Sequence, residues 1–180
     1  MRGYFGVGAE RISKPMNLGA ILRTGHAFGA SFAFSINAHH ATREVRWADT
    51  ANSADHIPYY EWNGLNDMRL PKGCVLVGVE LDPTAVMLPS FKHPINAAYL
   101  FGPEKGDLSE DAKAACAHLV QIPTKFCVNL SVAAAVVMYD RVLSLGGFPA
   151  RPVMSGGPPP AEDWRQVVRG RSVSSVKKKT

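Results

Sequence analysis

Hydrophobic and polar positions along this chain alternate between short apolar runs and longer helical patterns. Five apolar runs predict strands at Tyr4–Val7, Ser31–Ile36, Val75–Leu81, Ala97–Phe101 and Leu119–Ile122. The longer patterns predict helices at Leu18–Phe28, Ser109–Ala117 and Leu130–Leu145, with shorter helices near Asp49–Ala54 and Asn63–Arg69. Because continuously apolar strands separated by helices are typical of a parallel sheet covered on both faces, the pattern predicts an α/β fold.

The last predicted helix is apolar on nearly every face as far as Tyr139. We therefore expect it to be buried between the sheet and another body, for which a second subunit is one option. Gly146 and Gly147 should end it. Residues 146–160 contain nine glycines or prolines and should form a linker. The predicted organisation is a domain at 1–149, followed at 150–180 by the Gly/Pro linker and a basic tail.

The composition is typical of one ordinary soluble domain, but the charged residues are unevenly distributed along the chain. The 180 residues include 46% apolar residues and carry a formal charge of +5. Residues 1–150 contain 13 Lys+Arg and 13 Asp+Glu, whereas residues 151–180 contain 7 and 2, so the excess charge lies in the last thirty residues. There, cations around Trp164 suit RNA phosphates, although a solvated tail is the alternative. In the formally neutral body, RNA affinity must come from local residues such as Arg23, Arg43 and Arg46.

Several classes of protein are disfavoured. The three cysteines show no metal-ligand spacing and suit a reducing cytosol. No segment is typical of a signal peptide or a membrane span, so we expect a cytoplasmic protein. Gly6-Val7-Gly8 resembles the start of a dinucleotide-binding turn, but position 11 is Arg where that motif needs its third glycine. A nucleotide-dependent oxidoreductase is therefore disfavoured.

A first candidate segment runs from Asn17 to Gly29. Asn17 is a plausible N-cap and Gly29 a natural C-cap of the predicted helix. On one face, small residues surround Arg23, which could be held rigidly toward an anionic ligand. The alternative is a capped surface helix with a solvated arginine.

Two further segments follow predicted strands. In the first, Gly102 would let a ligand approach the backbone, Glu104 would face the crevice at the carboxyl ends of the strands, and Ser109 could cap the next helix. An ordinary strand-to-helix turn is the alternative. In the second, a loop containing Pro123 leads to a helix that Asn129 or Ser131 could cap. Such a loop also suits recognition of an adenine or amino-acid moiety.

Together and in this order, the three segments resemble the motifs of the SpoU/TrmH class of SPOUT RNA methyltransferases. The matching text is N-x-G-x-x-x-R-T-x-x-x-F-G at 17–29, L-F-G-P-E-x-G-x-L-S at 100–109, and I-P followed by N-L-S-V-A-A-A at 122–135. The resemblance covers roughly residues 4–149. It implies a mostly parallel α/β domain with a C-terminal trefoil knot, working as a homodimer. It also implies methyl transfer from S-adenosylmethionine to a ribose 2′-hydroxyl of tRNA or rRNA.

The same resemblance assigns roles to individual residues. The catalytic residues would be Asn17, Arg23, Glu104 and Asn129. The cofactor would be bound by Val79, Leu100, Gly102, Gly106, Ile122, Cys127, Leu130 and Ser131. Since arginine is a poor base, an electrostatic role for Arg23 is preferred to proton abstraction. Where the family commonly has Ser-Leu-Asn, this chain has Cys127-Val128-Asn129. Methyl transfer to a hydroxyl needs no covalent intermediate, so Cys127 is not expected to act as a nucleophile.

Two histidines and one polar segment have no role assigned by these motifs. His39 and His40 suit either solvent or RNA, and Asn52–His56, which precedes a strand, could line the RNA side. For the protein as a whole, a non-catalytic RNA-binding homologue is the main functional alternative, and the joint presence of Asn17, Arg23 and Glu104 argues against it. Because the body is small and no RNA-binding module is apparent, tRNA is slightly favoured over rRNA.

Overall fold

The computed structural model describes residues 3–39 and 56–147. Seven strands are present in this part of the chain: β1 (Phe5–Glu10), β2 (Phe32–Ile36), β3 (Tyr59–Trp62), β4 (Val75–Val79), β5 (Val86–Met87), β6 (Ala97–Phe101) and β7 (His118–Gln121). The helices are α1 (Pro15–Phe28), α2 (Glu110–Ala115) and α3 (Leu130–Ser144), with short 3-10 turns at Leu65–Asp67 and Leu88–Ser90. No helix among the described residues is long and apolar enough to cross a membrane.

The described strands form one sheet in the order β3-β2-β1-β6-β4-β7-β5. Every strand pair is parallel, so the carboxyl ends of all strands lie at one edge. This confirms the expected α/β fold with a mostly parallel sheet. The trefoil knot and the division into a 1–149 domain and a 150–180 tail stay predictions, and the short helix expected at 49–54 lies outside the described residues.

Helices cover both faces of the sheet, as expected. Side chains alternate along each strand, so Tyr99 and Phe101 of β6 pack in the core shared with α1 and α3. Leu100 points the other way, into a smaller core that includes Leu108 and Ala112 beside α2. The central strands are buried on both faces, which explains why they are continuously apolar in the sequence.

Several predicted boundaries were wrong. β1 continues to Glu10, so Gly6 and Gly8 lie inside the strand. A Cβ atom at either glycine would approach a phenylalanine ring of β2 to 2.3–2.5 Å, so these glycines make room for β2 side chains. The 63–69 segment forms only the single 3-10 turn at Leu65–Asp67, and the two-residue strand β5 was not predicted.

The predicted helix ends are largely confirmed. Gly29 adopts the left-handed conformation, with φ 78°, after α1. The Ser109 hydroxyl caps α2 by accepting a hydrogen bond from the Ala112 backbone N–H. After α3, Gly146 has φ 71° and the Gly147 N–H donates to the Val142 carbonyl. Each of these helix ends is explained by a residue at or next to the end, which is why the sequence could predict it.

Helix α3 is buried on one face only. Ala134, Val137 and Met138 are fully buried against the sheet and α1. Val132 and Tyr139 on the other face are 49% and 43% exposed. The expectation that another body covers the outer face of this helix stays a prediction.

Arg141 fastens α3 to the amino-terminal edge of the sheet. Its guanidinium is completely buried and donates to the carbonyls of Pro94 and Ile95, each at 2.6 Å, and of Tyr4 at 3.2 Å. It also donates to the Tyr99 hydroxyl at 3.1 Å. Because these acceptors precede β1 and β6 or lie within β6, one side chain fixes the helix relative to the two central strands.

Candidate active site

A cavity of approximately 480 Å³ opens at the carboxyl edge of the sheet. Three chain segments bound it: the end of β4, the loop that follows β6, and the loop between β7 and α3, with Lys14 at its rim. The resemblance-derived residues that line it are Val79, Gly102, Glu104, Gly106, Ile122, Cys127, Asn129 and Leu130. The volume is typical of a small-ligand pocket, and its position is the one where open parallel sheets bind ligands.

Glu104 joins the loop after β6 to the beginning of α1. One carboxylate oxygen accepts hydrogen bonds from the Ser13 backbone N–H and hydroxyl, at 3.0 and 2.9 Å. The other accepts from the Lys14 N–H at 3.0 Å and the Asn17 amide at 2.9 Å. Burial alone would raise the pKa of Glu104, but these donors outweigh burial and lower the pKa to about 2. The carboxylate is therefore ionised at neutral pH, and its hydrogen bonds hold the loop after β6 against the start of α1.

Asn17 occupies a different place from the one expected. The helix begins at Pro15, three residues before the predicted start at Leu18, and Lys14 is the N-cap without a side-chain cap. The prediction that Asn17 caps α1 was therefore wrong. The Glu104 carboxylate accepts the N–H groups of Ser13 and Lys14 at this end of the helix. Asn17 is instead in the first turn, 8% exposed, with its side chain available for the neighbouring loops.

Asn129 connects the third motif segment to the other two by side-chain hydrogen bonds. Its amide nitrogen donates to the Asn17 side-chain oxygen at 3.3 Å. Its own oxygen accepts from the backbone N–H and hydroxyl of Ser131, at 2.9 and 2.7 Å, so Asn129 caps α3. Glu104, Asn17 and Asn129 therefore form one connected network beside the cavity.

The structure places other predicted residues away from the cavity wall. Leu100 is fully buried in the core on the α2 side, because its neighbour Phe101 takes the cavity-facing position of β6. Ser131 is bonded to Asn129 and does not line the cavity. Arg23 is exposed on α1 and makes no hydrogen bond or ion pair with another described residue. Arg43 and Arg46 lie outside the described residues.

The histidine candidates are only partly described. His39 is exposed, and its backbone N–H donates to the Ile12 carbonyl. His56 lies with its ring centroid 4.8 Å from that of His26, one turn after Arg23 on α1. His40 and residues 52–55 lie outside the described part of the chain.

Sequence reasoning missed the carboxylates that anchor the far end of the loop after β6. Glu10, at the end of β1, accepts from the Ser109 N–H at 2.8 Å and from its hydroxyl. Arg11 donates to the Asp107 carbonyl at 2.7 Å. Glu80, directly after β4, accepts from the Leu108 N–H at 2.7 Å. A charged residue at the end of an apolar strand is the signal that could have identified Glu10 and Glu80.

Fold and site together define a parallel α/β protein whose cavity is lined by the second and third motif segments and the end of β4, while Asn17 of the first motif segment is hydrogen-bonded to Glu104 and Asn129 beside it. The family model for the SpoU rRNA Methylase family matches residues 5–139, and the chain belongs to that family.

Relatives with curated names include the tRNA (guanosine(18)-2′-O)-methyltransferases of two Thermus thermophilus strains. Each is 30% identical over 139 residues, which cover 73% of this chain and 70% of the relative.

Solved structures share the fold. The SpoU methyltransferase AviRb from Streptomyces viridochromogenes matches with a TM-score of 0.68 at 23% identity, over 83% of this chain and 63% of that chain. An rRNA methyltransferase from Sinorhizobium meliloti matches with a TM-score of 0.71 at 24% identity, over 80% and 57%. A structure concerned with 2-OH methylation of C/U34 on tRNA matches with a TM-score of 0.71 at 21% identity, over 81% and 99%. The chain thus spans about three fifths of the first two structures and nearly all of the third.

Proposed function

We propose that this protein is an RNA methyltransferase that transfers a methyl group from S-adenosylmethionine to a ribose 2′-hydroxyl of tRNA or rRNA, with tRNA favoured. The observation that carries the proposal is the cavity that the second and third motif segments line together with the end of β4, and that the hydrogen-bonded network of Glu104, Asn17 and Asn129 braces. Family membership and the names of the Thermus relatives support the reaction and the tRNA preference. Solved relatives from Sinorhizobium and Streptomyces bind AdoMet.

The residues that line the cavity fit this cofactor. Val79, Ile122 and Leu130 supply apolar surface of the kind that a purine needs. A Cβ atom at Gly102 would lie 3.1 Å from both the Glu80 carboxylate and the Leu108 nitrogen, closer than Cβ atoms usually pack, so glycine fits this part of the wall without displacing either group. When bound, the cofactor supplies an electrophilic methyl group on a positively charged sulfur.

Arg23 is proposed to act by electrostatics. The ribose hydroxyl becomes more negative as it attacks, and a guanidinium can stabilise that charge while holding a flanking phosphate. Arg23 is exposed and has no hydrogen bond or ion pair to another described residue, as suits a side chain that binds RNA. Asn17 and Glu104 act as positioning residues, because they fix the start of the helix that carries Arg23. If Arg23→Lys keeps native turnover and pH dependence, the proposed contact of the guanidinium with both the ribose oxygen and the flanking phosphate is wrong.

We further propose that a second copy of the chain covers the outer face of α3. Val132, Val136 and Tyr139 are 38–49% exposed there, although the helix is apolar on that side. Light scattering should give twice the chain mass, and Val136→Asp should shift it to a single chain. A native protein that is monomeric at micromolar concentration would remove this part of the proposal.

The tail is proposed to assist RNA capture. Deletion of residues 157–180 should weaken RNA binding and flatten its dependence on salt while leaving cofactor affinity intact. RNA affinity that does not change would dispose of this role.

Mapping of ribose methylation tests the reaction itself. Total RNA from cells with and without the protein should differ at a defined ribose, and the protein with Arg23→Ala should not restore the methyl group. Calorimetry with S-adenosylmethionine, run in parallel, separates an enzyme from a non-catalytic RNA-binding homologue. If no ribose gains a methyl group, the proposed activity fails even though the fold stands.

A further inference from the structure

The charged groups around the cavity are mostly acidic. Glu80, Glu104 and Asp107 line it, whereas Lys14 is the one lysine or arginine among the described lining residues. Glu104 is already saturated by four donors from the start of α1. Asp107 is exposed to solvent, which screens its charge. Glu80 is the partly buried lining carboxylate that keeps acceptor capacity for a ligand, because it receives two hydrogen bonds from described residues where Glu104 receives four.

Glu80 is held in place without being neutralised. One of its oxygens accepts from the Leu81 N–H at 2.8 Å and the other from the Leu108 N–H at 2.7 Å. No lysine, arginine or histidine nitrogen of the described chain forms an ion pair with it. Two neutral donors fix the carboxylate in the wall and leave its negative charge uncompensated by any protein cation.

The position of this charge relative to the wall is defined by Gly102. Because a Cβ atom at Gly102 would lie 3.1 Å from a Glu80 carboxylate oxygen, the carboxylate packs against the bare backbone of the cavity wall. Glu80 is also partly buried. A charge in such a place acts on a ligand through a lower effective dielectric than a charge at the surface.

The proposed cofactor and its product differ by one charge. S-adenosylmethionine carries a positively charged sulfonium, and S-adenosylhomocysteine carries a neutral thioether of nearly the same shape. During transfer, the S–CH₃ bond breaks with its electron pair left on sulfur, a C–O bond forms to the ribose oxygen, and the hydroxyl proton is released to solvent. The positive charge on the ligand therefore disappears in the reaction.

We infer that Glu80 makes the cavity select by charge, favouring the sulfonium cofactor over the thioether product. The inference rests on the proposed function. Coulomb attraction to a partly buried carboxylate in the cavity wall stabilises the cation, and the attraction is lost once the methyl group has left. Product inhibition is thereby reduced. Glu80 stabilises the charged ground state more than a transition state in which the sulfur is already losing charge, so its contribution appears in cofactor binding and not in turnover.

Calorimetry on the full chain with Glu80→Gln tests this selection. The glutamine carbonyl can still accept the Leu108 N–H, so the loop keeps this anchor while the charge is removed, and the hydrogen bond from the Leu81 N–H is lost. We expect affinity for S-adenosylmethionine to fall about three- to tenfold and affinity for S-adenosylhomocysteine to change less than about twofold. Sinefungin, which carries an amine near the position of the sulfonium, should follow the cation. In steady state, KM for the cofactor should rise and kcat should not fall.

Glu110→Gln is the matched control, because this carboxylate is 89% exposed and outside the cavity. It should leave both affinities unchanged. An equal loss of affinity for cofactor and product in Glu80→Gln would mean that Glu80 only organises the loop, and no loss for either would mean that its charge is not felt; each result overturns the inference. If the native protein binds neither ligand, the proposed function fails instead.

Discussion

Replacement of Glu104 by glutamine tests whether an ionised carboxylate holds the site together. Each carboxylate oxygen accepts two hydrogen bonds, from Ser13 on one side and from Lys14 and Asn17 on the other. Glutamine has one acceptor oxygen and one NH₂ group. Two of the four donors would therefore face another donor, and the loop after β6 would lose half of its contacts with the start of α1.

The lowered pKa of Glu104 gives a magnitude for this loss. Burial opposes ionisation, but the hydrogen bonds from Ser13 and Asn17 lower the pKa from 4.5 to about 2. At about 1.36 kcal/mol per pH unit, the full difference would correspond to about 3.4 kcal/mol of unfolding free energy. The side chain is partly exposed, so solvent screening reduces the expected contribution to about 1–2 kcal/mol.

The sign of the pH dependence follows from the direction of the change. A carboxyl whose pKa is lower in the folded protein contributes its full stability above about pH 4.5, and the contribution is lost as the pH falls toward about 2. Urea unfolding should therefore show Glu104→Gln to be about 1–2 kcal/mol less stable at pH 7, with a difference at pH 3 of less than about half that value. Glu110→Gln, on an exposed side chain, should cost less than about 0.5 kcal/mol. A Glu104 difference that is the same at both pH values would refute the reasoning.

Three further substitutions test other parts of the structure. Arg141→Lys keeps the charge but cannot reach all four acceptors, so the free energy of unfolding should fall by about 2–4 kcal/mol in urea titrations; a loss below about 1 kcal/mol would contradict the role of Arg141 in fastening α3. Gly102→Ala should narrow the cavity beside Glu80 and weaken S-adenosylmethionine binding at least about tenfold in calorimetry, at a cost of about 1–3 kcal/mol of stability because the added methyl group lies 3.1 Å from the Leu108 nitrogen. Unchanged affinity would mean that the ligand does not contact this part of the wall. Ser109→Ala removes both the α2 cap and the hydroxyl bond to Glu10, so thermal unfolding should report a loss of about 1–2 kcal/mol, and full stability would show the cap to be dispensable.

Much of the fold was predictable because its causes are local. The run at Ala97–Phe101 is continuously apolar, and it forms β6 with the predicted limits. Helix ends at Gly29 and Ser109 follow from a residue that tolerates the left-handed conformation and from a hydroxyl that can cap. The start of α1 was misjudged because Asn17 and Pro15 are both favoured near a helix start, and the choice between them depends on Glu104, 87 residues away from Asn17.

It was easier to predict from the sequence which residues belong to the site than how these residues are arranged. A strand buried on both faces carries no pattern to show which side chain faces a ligand, so Leu100 and Phe101 could not be told apart. The carboxylates of Glu10 and Glu80 bond residues 99 and 28 positions away, and no local pattern connects them to the loop. The motif text identified Glu104 and Asn129, while the sheet topology brings them together.

The loop after β6 is anchored at both ends by the protein itself, and this determines what ligand binding has to supply. Glu104 fixes its first half to α1, and Glu10 with Arg11 fixes its second half to the end of β1. Because these bonds join parts of the same chain, a ligand need not order the loop in order to bind, and little binding energy is lost to ordering. The affinity of the cavity should therefore depend mainly on its shape at Gly102 and its charge at Glu80. Glu80→Gln and Gly102→Ala are therefore the substitutions that test ligand recognition most directly.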